Sequence, residues 1–454
     1  MARGKSIEIQ EVLTSLIPAR RLNRLARELG VVVRNRKVRA LALFWTLVLG
    51  FGAGSERTLA GLRRHFEQAS GVTLVPSAFY LRFTPALARF LKAVLVEVLE
   101  RVSERSEALK GPLGAFRDVV SIDATVIRLH DLLAKAFPAC RTNHTRAAAK
   151  LHAVMSVKGM GPRSVKLTSE RVHEGPVLRA GRWVAGLLLL FDLGYYRYQL
   201  FDCIDRCRGY FITRLKDRAN PTITAVHRRW RGASLPLVGR RLQDVLGRLK
   251  REVLDVEVEL TFRRRAYNGK RSAARARFRL VGVRNPKGDG YHLYLTNVLP
   301  EKLSAEDIAA TYAARWTIEL VFRELKRHYR LDQMPSASKP VVEALLYAAL
   351  LTLVVSRQLL AALRERLKQP AHRLPEERWA ALFAQFAQQI LWLLLSPRSL
   401  SGSLANQLAR VLAQEAVDPN RSRRRLLGRV ESGTQLDHYA GRSTSGSAGL
   451  RKAA

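Results

Sequence analysis

At 454 residues the chain is long enough for several domains around large cores. An apolar share of 47% and a charged share of 26% exclude a disordered chain, and three cysteines exclude a disulfide framework. The charge balance is the unusual feature: 78 Lys and Arg against 38 Asp and Glu leave a formal +40, a self-repulsion that a polyanion such as nucleic acid relieves. A membrane-surface protein would want a basic amphipathic anchor, and none stands out. The polar opening "MARGKSIEIQ" does not read as a signal peptide. The apolar run "ALLYAALLTLVV" (344–355) reads as a core helix too short for a bilayer.

Residues 1–115 read as helices. "VRALALFWTLVLGFGAG" is a buried one ending in glycines, and "ERTLAGLRRHFEQASGV" is amphipathic and stopped at Gly71. "PSAFYLRFTPALARFLKAVLVEVLERV" follows, with Ser77 as its expected cap. A helix, a Gly turn and a helix carrying Tyr80 and Arg82 suit a helix-turn-helix or an ordinary helical hairpin.

The texture changes over residues 116–218. "FRDVVSIDATVIRL" is a β-branched strand with Asp123 in its middle. "KLHAVMSVKG" and "RSVKLTSERV", joined by "MGP", read as a hairpin. "WVAGLLLLFDLGYY" suits a strand buried on both faces that ends at Asp192. "RYQLFDCIDRC" is a short helix and "GYFITRLK" another strand, so the order predicts a mixed sheet covered by helices. Cys203 and Cys207 share that helix without a second Cys/His pair, which argues against zinc.

Residues 219–289 are intensely basic and hold two alternating strands around "YNGKRSAA", the pattern of a β-rich insertion. Residues 290–334 resume with the strand "YHLYLTNV" and a helix opened by Ser304, with Asp307 completing a capping-box pattern. No Gly or Pro interrupts 304–334, so a single helix is expected there. Residues 335–418 read as C-terminal helices, and 419–454 as a basic, disordered tail.

Asp123 and Asp192 sit in apolar strands, where an unpaired charge is costly. Each therefore needs a cation, an arginine partner or a capped turn. Asp118, Asp202 and Asp205 are poorer candidates, at a strand entry and on a polar helix. On an unbroken helix Tyr312, Arg315, Glu319 and Lys326 share a stripe about 60° wide, with Arg323 one turn past Glu319. Arg315–Glu319 and Glu319–Arg323 are also i,i+4 pairs of the kind that decorate solvated helices. If the two strands are neighbours and the helix crosses them, Asp123, Asp192 and Glu319 converge. Hard oxygen ligands with open positions suit Mg²⁺, and two such ions can clamp a phosphoryl displacement. Arg315 and Lys326 would then hold phosphates, and Tyr312 would pack on a sugar or base.

The spacing Y-x₂-R-x₃-E-x₆-K of Tyr312, Arg315, Glu319 and Lys326 resembles the signature of bacterial insertion-sequence transposases of the DDE class, in the cut-and-paste group. "SIDAT" resembles their first-Asp strand, "FDLGYY" their second, and "YFITRLK" the strand that follows. The basic block between Asp192 and Glu319 resembles their insertion domain. The resemblance implies an α/β fold: a ribonuclease-H-like mixed-sheet catalytic core with a β-rich insertion, between a helical N-terminal DNA-binding region and C-terminal helices. It implies Asp123, Asp192 and Glu319 as catalytic ligands of two Mg²⁺ ions, Mn²⁺ substituting, with Tyr312, Arg315, Arg323 and Lys326 on DNA. It further implies a homodimer on double-stranded DNA, cutting transposon ends and joining the 3′-OH to a target, in the bacterial cytoplasm and on the nucleoid when bound. Some relatives pass through a DNA hairpin and stack a flipped base, for which Trp230, Tyr291 and His292 are candidates. The alternative is a catalytically silent descendant that only binds DNA, such as a repressor; an intact carboxylate triad, which repels bound DNA, favours the enzyme. A metal-dependent nuclease without strand transfer shares the triad.

Overall fold

The computed structural model describes residues 9–32, 37–51, 58–104, 108–140, 145–159, 161–228, 235–264, 272–285, 290–395, 398–420 and 430. Trp230, most of the "YNGKRSAA" turn and nearly all of the tail at 419–454 lie outside the described residues. In chain order, helices α1 (Ile9–Leu16), α2 (Ala19–Glu28), α3 (Ala40–Trp45), α4 (Leu59–Ser70), α5 (Pro76–Tyr80) and α6 (Pro85–Glu104) come first. Strands β1 (Asp118–Leu129), β2 (Ala147–Ser156), β3 (Gly161–Ser169) and β4 (Leu187–Phe191) follow, then helix α7 (Tyr198–Arg206). Next are β5 (Tyr210–Arg214), β6 (Thr222–Val226), β7 (Val253–Arg263), β8 (Ala273–Arg284) and β9 (Tyr291–Thr296). Helices α8 (Ala305–Ala313), α9 (Thr317–Arg327), α10 (Lys339–Leu367), α11 (Glu376–Leu395) and α12 (Arg398–Glu415) complete the order.

Two compact units divide the chain. Met1–Ser106, Asp123–His173 and Thr317–Arg424 form the first, and Glu107–Ile122, Glu174–Trp316 and Arg425–Ala454 the second. Strand β1 therefore contributes its first half to the second unit and its remainder to the first.

In the first unit, helices enclose one apolar core that also takes Ile127 of β1 and Leu151 of β2. Its centre is α10, whose Leu345, Leu346, Leu350 and Leu353 are fully buried. The helix is longer than the 344–355 run: by length and composition it could cross a membrane, but 83% of its most apolar stretch is buried inside the protein. That is the core helix the composition predicts. Helix α4 opens with the Thr58 hydroxyl accepting from the Gly61 N–H and closes on Gly71 at φ 69°, a left-handed turn that glycine adopts without Cβ strain. The expected cap at Ser77 is corrected: Val75 is the N-cap, Pro76 takes the first helical position, and Ser77 lies within α5. The segment also splits, because Pro85 disfavours helical geometry at Thr84 and starts α6 afresh.

Among the described residues the strand order is β3-β2-β1-β4-β5-β9-β8-β7-β6. β1, β4 and β5 run parallel, while β2/β3, β5/β9, β9/β8, β8/β7 and β7/β6 are antiparallel. This is the mixed sheet expected from the order of strands and helices. β4, "LLLLF", is buried at every position, as a strand between parallel neighbours must be. The two basic strands pair from Val253↔Val283 to Arg263↔Ala273, and β8 pairs in turn with β9. Their one deeply buried arginine, Arg279, forks onto Asp255 at 2.8 and 2.7 Å and also donates to the Val298 and Leu303 carbonyls. Its charge is thereby compensated where the sheet is dry.

Candidate active site

In the second unit, the parallel register of β1 with β4 pairs Ser121 with Leu190 and Ile122 with Phe191. Asp123 and Asp192 are each the next residue along. β5 lies on the other side of β4, with Thr213 opposite Phe191 and Arg214 following. The carboxyl ends of adjacent parallel strands are where open α/β sheets take their ligands.

Asp192 is half-buried, and its carbonyl accepts from the Tyr195 N–H at 3.0 Å as the chain turns through Leu193–Tyr195. Its side chain does not cap that turn. Helix α8 supplies Tyr312 to the same neighbourhood. Ser304 caps the helix as expected, accepting from the Asp307 N–H at 3.0 Å and donating to its carboxylate at 2.7 Å. The Tyr312 ring packs on Tyr294 with centroids 5.2 Å apart. Burial pushes its phenol up to about 12; Arg315 opposes, Asp192 adds to the rise, and Arg214 opposes. Asp192, Tyr312, Arg315 and Arg214 thus share one electrostatic environment. Arg214 was not among the residues picked from the sequence; a cation directly ending a parallel strand was the available signal.

The single helix expected over 304–334 is corrected. The chain makes α8, a 3₁₀ turn at Ala314–Trp316, and α9, which ends at Arg327. A 3₁₀ turn rotates about 120° per residue rather than about 100°, so the angular stripe drawn through Tyr312 and Glu319 does not hold. The turn is tied by Ser121, whose hydroxyl donates to the Arg315 carbonyl at 3.0 Å. Tyr312 and Arg315 fall in the second unit, Glu319, Arg323 and Lys326 in the first.

In the first unit, a cleft of about 500 Å³ is lined by Asp123 and Thr125 from β1 and by Glu319, Arg323 and Lys326 from α9. The last three are spaced i, i+4 and i+7, which puts them on one helical face. Asp123 and Glu319 are both half-buried, and Asp123 Oδ1 accepts from the Ala124 N–H at 2.8 Å. Arg327 and Asp332 line the same cleft and were not anticipated. Asp123 and Glu319, lining an open, cation-rimmed space with Asp332, fit a hard divalent cation that keeps several waters, such as Mg²⁺ or Mn²⁺. Among the described residues, no group of three or more His, Cys, Asp and Glu side chains is gathered as a ligand set.

The remaining acids and aromatics are accounted for differently. Asp202 bonds Arg264 at 3.0 and 2.9 Å and Arg206 at 3.1 Å, and Asp205 accepts from Asn297 at 2.8 Å. Asp118 is buried. The Tyr291 hydroxyl donates to the Arg251 carbonyl and Arg284 lies 5.9 Å over its ring, while His292 is exposed. Cys203 and Cys207 are free thiols.

Asp123 within β1, Asp192 just past β4 and Glu319 on α9 are carboxylates borne on the strands and a helix of a mixed-sheet α/β protein. Residues 114–355, more than half of the chain, match the transposase DDE domain, and the chain belongs to that family. It is 28% identical over 252 residues to the putative transposase y4zB of Sinorhizobium fredii, covering 56% of this chain and 63% of that protein. It is 22% identical over 394 residues to the transposase for insertion sequence element IS231F of Bacillus thuringiensis subsp. israelensis, covering 79% of this chain and 81% of that one. The chain thus spans less than two thirds of the length of the first relative. A structural comparison also pairs it with a piggyBac transposase from a synaptic complex with hairpin DNA, at TM-score 0.43 and 8% identity over 91% of this chain and 86% of that one.

Proposed function

We propose that this chain is a DNA transposase that cleaves transposon ends and joins the freed 3′-OH to target DNA by divalent-metal-dependent phosphoryl transfer. The observation that carries the reading is the shared cleft: Asp123 and Glu319, far apart in sequence, line one space with Arg323 and Lys326. The β1/β4 register supports Asp192 as the third carboxylate, since the residues before Asp123 and Asp192, Ile122 and Phe191, lie opposite each other on adjacent parallel strands. Asp123, Asp192 and Glu319 would hold Mg²⁺ or Mn²⁺, two ions per site. Bound there, such ions supply a nucleophilic oxygen at neutral pH and stabilise the leaving one.

The chain's own side chains then position the DNA. Arg315 and Arg214 offer forked donors to phosphate oxygens, and Lys326 and Arg323 offer charge along the strand. Tyr312, with its phenol near 12, stays protonated at neutral pH and acts as a hydrogen-bond donor rather than a base or nucleophile. Residues 1–115 are the DNA-binding region in this reading, 219–289 an insertion, and the working form a homodimer on paired ends.

The test incubates the purified protein with a duplex carrying the DNA that flanks its coding sequence, plus Mg²⁺ or Mn²⁺, with and without a chelator. Chelator-sensitive nicking followed by joined products supports the enzyme. Binding without cleavage would leave the silent DNA-binding reading, and cleavage without joining the nuclease reading.

A further inference from the structure

Helix α2 has two faces of unlike chemistry. Leu22, Leu25 and Ala26 are buried in the core of the first unit. Arg21, at the edge of that face, forks onto Glu97 of α6, with Nε 2.9 Å from Oε2. The helix is pinned at both ends. Arg101 donates to the Leu16 carbonyl at 3.1 Å just ahead of it, and the Val31 N–H returns to the Ala26 carbonyl at 2.8 Å behind it. The opposite face carries Arg20, Asn23, Arg24 and Arg27, all exposed. Their i, i+3, i+4, i+7 spacing makes one straight stripe. Among the described residues the stripe meets a carboxylate at Arg24, 3.8 Å from Glu28, both exposed, a pair worth little in water.

We propose that α2 lies against duplex DNA, with Arg20, Arg24 and Arg27 on phosphates and Asn23 turned to a base edge. The proposal rests on the transposase reading and goes beyond it by naming the element and residues that take the DNA. The stripe is about 10 Å long at 1.5 Å per residue, so it fits within a major groove about 12 Å wide. Guanidinium forks match phosphate oxygens, and an asparagine can pair both edge atoms of adenine. An anionic membrane is the poorer partner. A lipid-bound amphipathic helix inserts its apolar face, and here that face is spent on the protein core. The two ends of α5 are a different surface: the exposed caps Val75 and Leu81 are apolar where α2 is cationic.

The test measures binding of the full chain to the flanking-end duplex as a function of salt, for wild type, Arg20→Ala/Arg24→Ala/Arg27→Ala and Asn23→Ala. Three lost phosphate contacts lower the log–log salt slope by about 2.7, so a fourfold rise in salt costs the wild type roughly 40-fold more affinity than the triple variant. Asn23→Ala keeps the slope and narrows the preference for the end duplex over a scrambled one. An unchanged slope in the triple variant, with wild-type binding intact, overturns this proposal alone. Wild type that binds no duplex overturns it together with the transposase reading. Phosphatidylserine-vesicle binding lost in the triple variant while DNA binding persists assigns the stripe to lipid and also overturns it.

Discussion

Two glutamates on α9, five positions apart, meet opposite fates. Glu319 lines the cleft with Arg323 and Lys326. Glu324 points into the core of the first unit, 6% exposed, in a buried ion pair with Arg357 of α10. Around that pair the Tyr329 hydroxyl donates to Ser356 Oγ at 2.8 Å, and the Trp379 indole donates to the Ser356 carbonyl at 2.9 Å. Burial pushes the Glu324 carboxyl above its usual range, and Arg357 pulls the other way. What distinguishes the two acids is what stands behind them. A charge buried against a fixed partner holds the helix in place, whereas a charge that lines an open cleft beside cations stands where a ligand can reach it.

The sharpest way to break the comparison is to neutralise each acid. On the proposed reading, Glu319→Gln removes a hard ligand and leaves the fold, so single-turnover cleavage should fall by at least about 10²–10³-fold, on the scale of losing one group that stabilises charge in the transition state. DNA affinity should hold or rise, because a charge that repels phosphate is gone. Glu324→Ala strands Arg357 without its partner and should cost about 3–5 kcal/mol in urea unfolding. The double change Glu324→Leu/Arg357→Met should recover most of that loss, since an apolar pair of similar volume carries no desolvation cost. If Glu319→Gln unfolds the protein and Glu324→Ala only slows cleavage, the assignment of the two faces is reversed.

Much of this was legible in the residues, and the misses have physical causes. Asp123 and Asp192 stood out because strands as apolar as "LLLLF" do not carry a carboxylate at their end without a reason. The strand types of β1 to β5 followed from β-branched and continuous apolar runs. The break between α8 and α9 was not legible, since no Gly or Pro marks it. It accompanies a hydroxyl on β1 that reaches the Arg315 carbonyl, a contact between residues distant in sequence. Arg357 closes an apolar run and reads as a helix flank until the core places Glu324 against it. Arg214 was hidden in a motif that had been read only for its strand.

His152 extends the comparison to a third buried ionisable group. It sits in β2, its Nε2 2.9 Å from the Thr168 hydroxyl, and its Nδ1 finds no partner among the described residues. Burial lowers its pKa to about 4, and Lys150 and Lys166 act in the same direction. The unfolded chain takes up a proton near the ordinary value of 6.5, so neutral His152 contributes stability that is fully present above that pH. The contribution is lost as pH falls from about 6.5 to about 4, at up to about 3 kcal/mol in total. Like Glu324, it should affect unfolding and not cleavage. His152→Gln should flatten the urea midpoint across that window and leave the neutral-pH cleavage rate within about twofold. A midpoint that keeps its full pH dependence would assign the titration to another group.

Ser121 lies between the two classes, and its predicted effect is the smallest. It is buried like Glu324, yet the group it holds is the turn that carries Arg315 beside Tyr312 and Asp192. Ser121→Ala gives up one hydrogen bond to a carbonyl in a tight turn, worth about 1 kcal/mol. If its only task is to fix that turn, stability should fall by this amount and the salt slope of DNA binding should not change, because Arg315 keeps its charge. Cleavage should slow by less than about tenfold, the equivalent of that same energy. Arg315→Ala, in contrast, should reduce the salt slope by about 0.9 with little change in stability. A cleavage defect in Ser121→Ala as deep as that of Glu319→Gln would mean that the hydroxyl meets the reacting strand itself. The line between charges matched from behind and charges facing the ligand would then have to be drawn through β1 instead of α9.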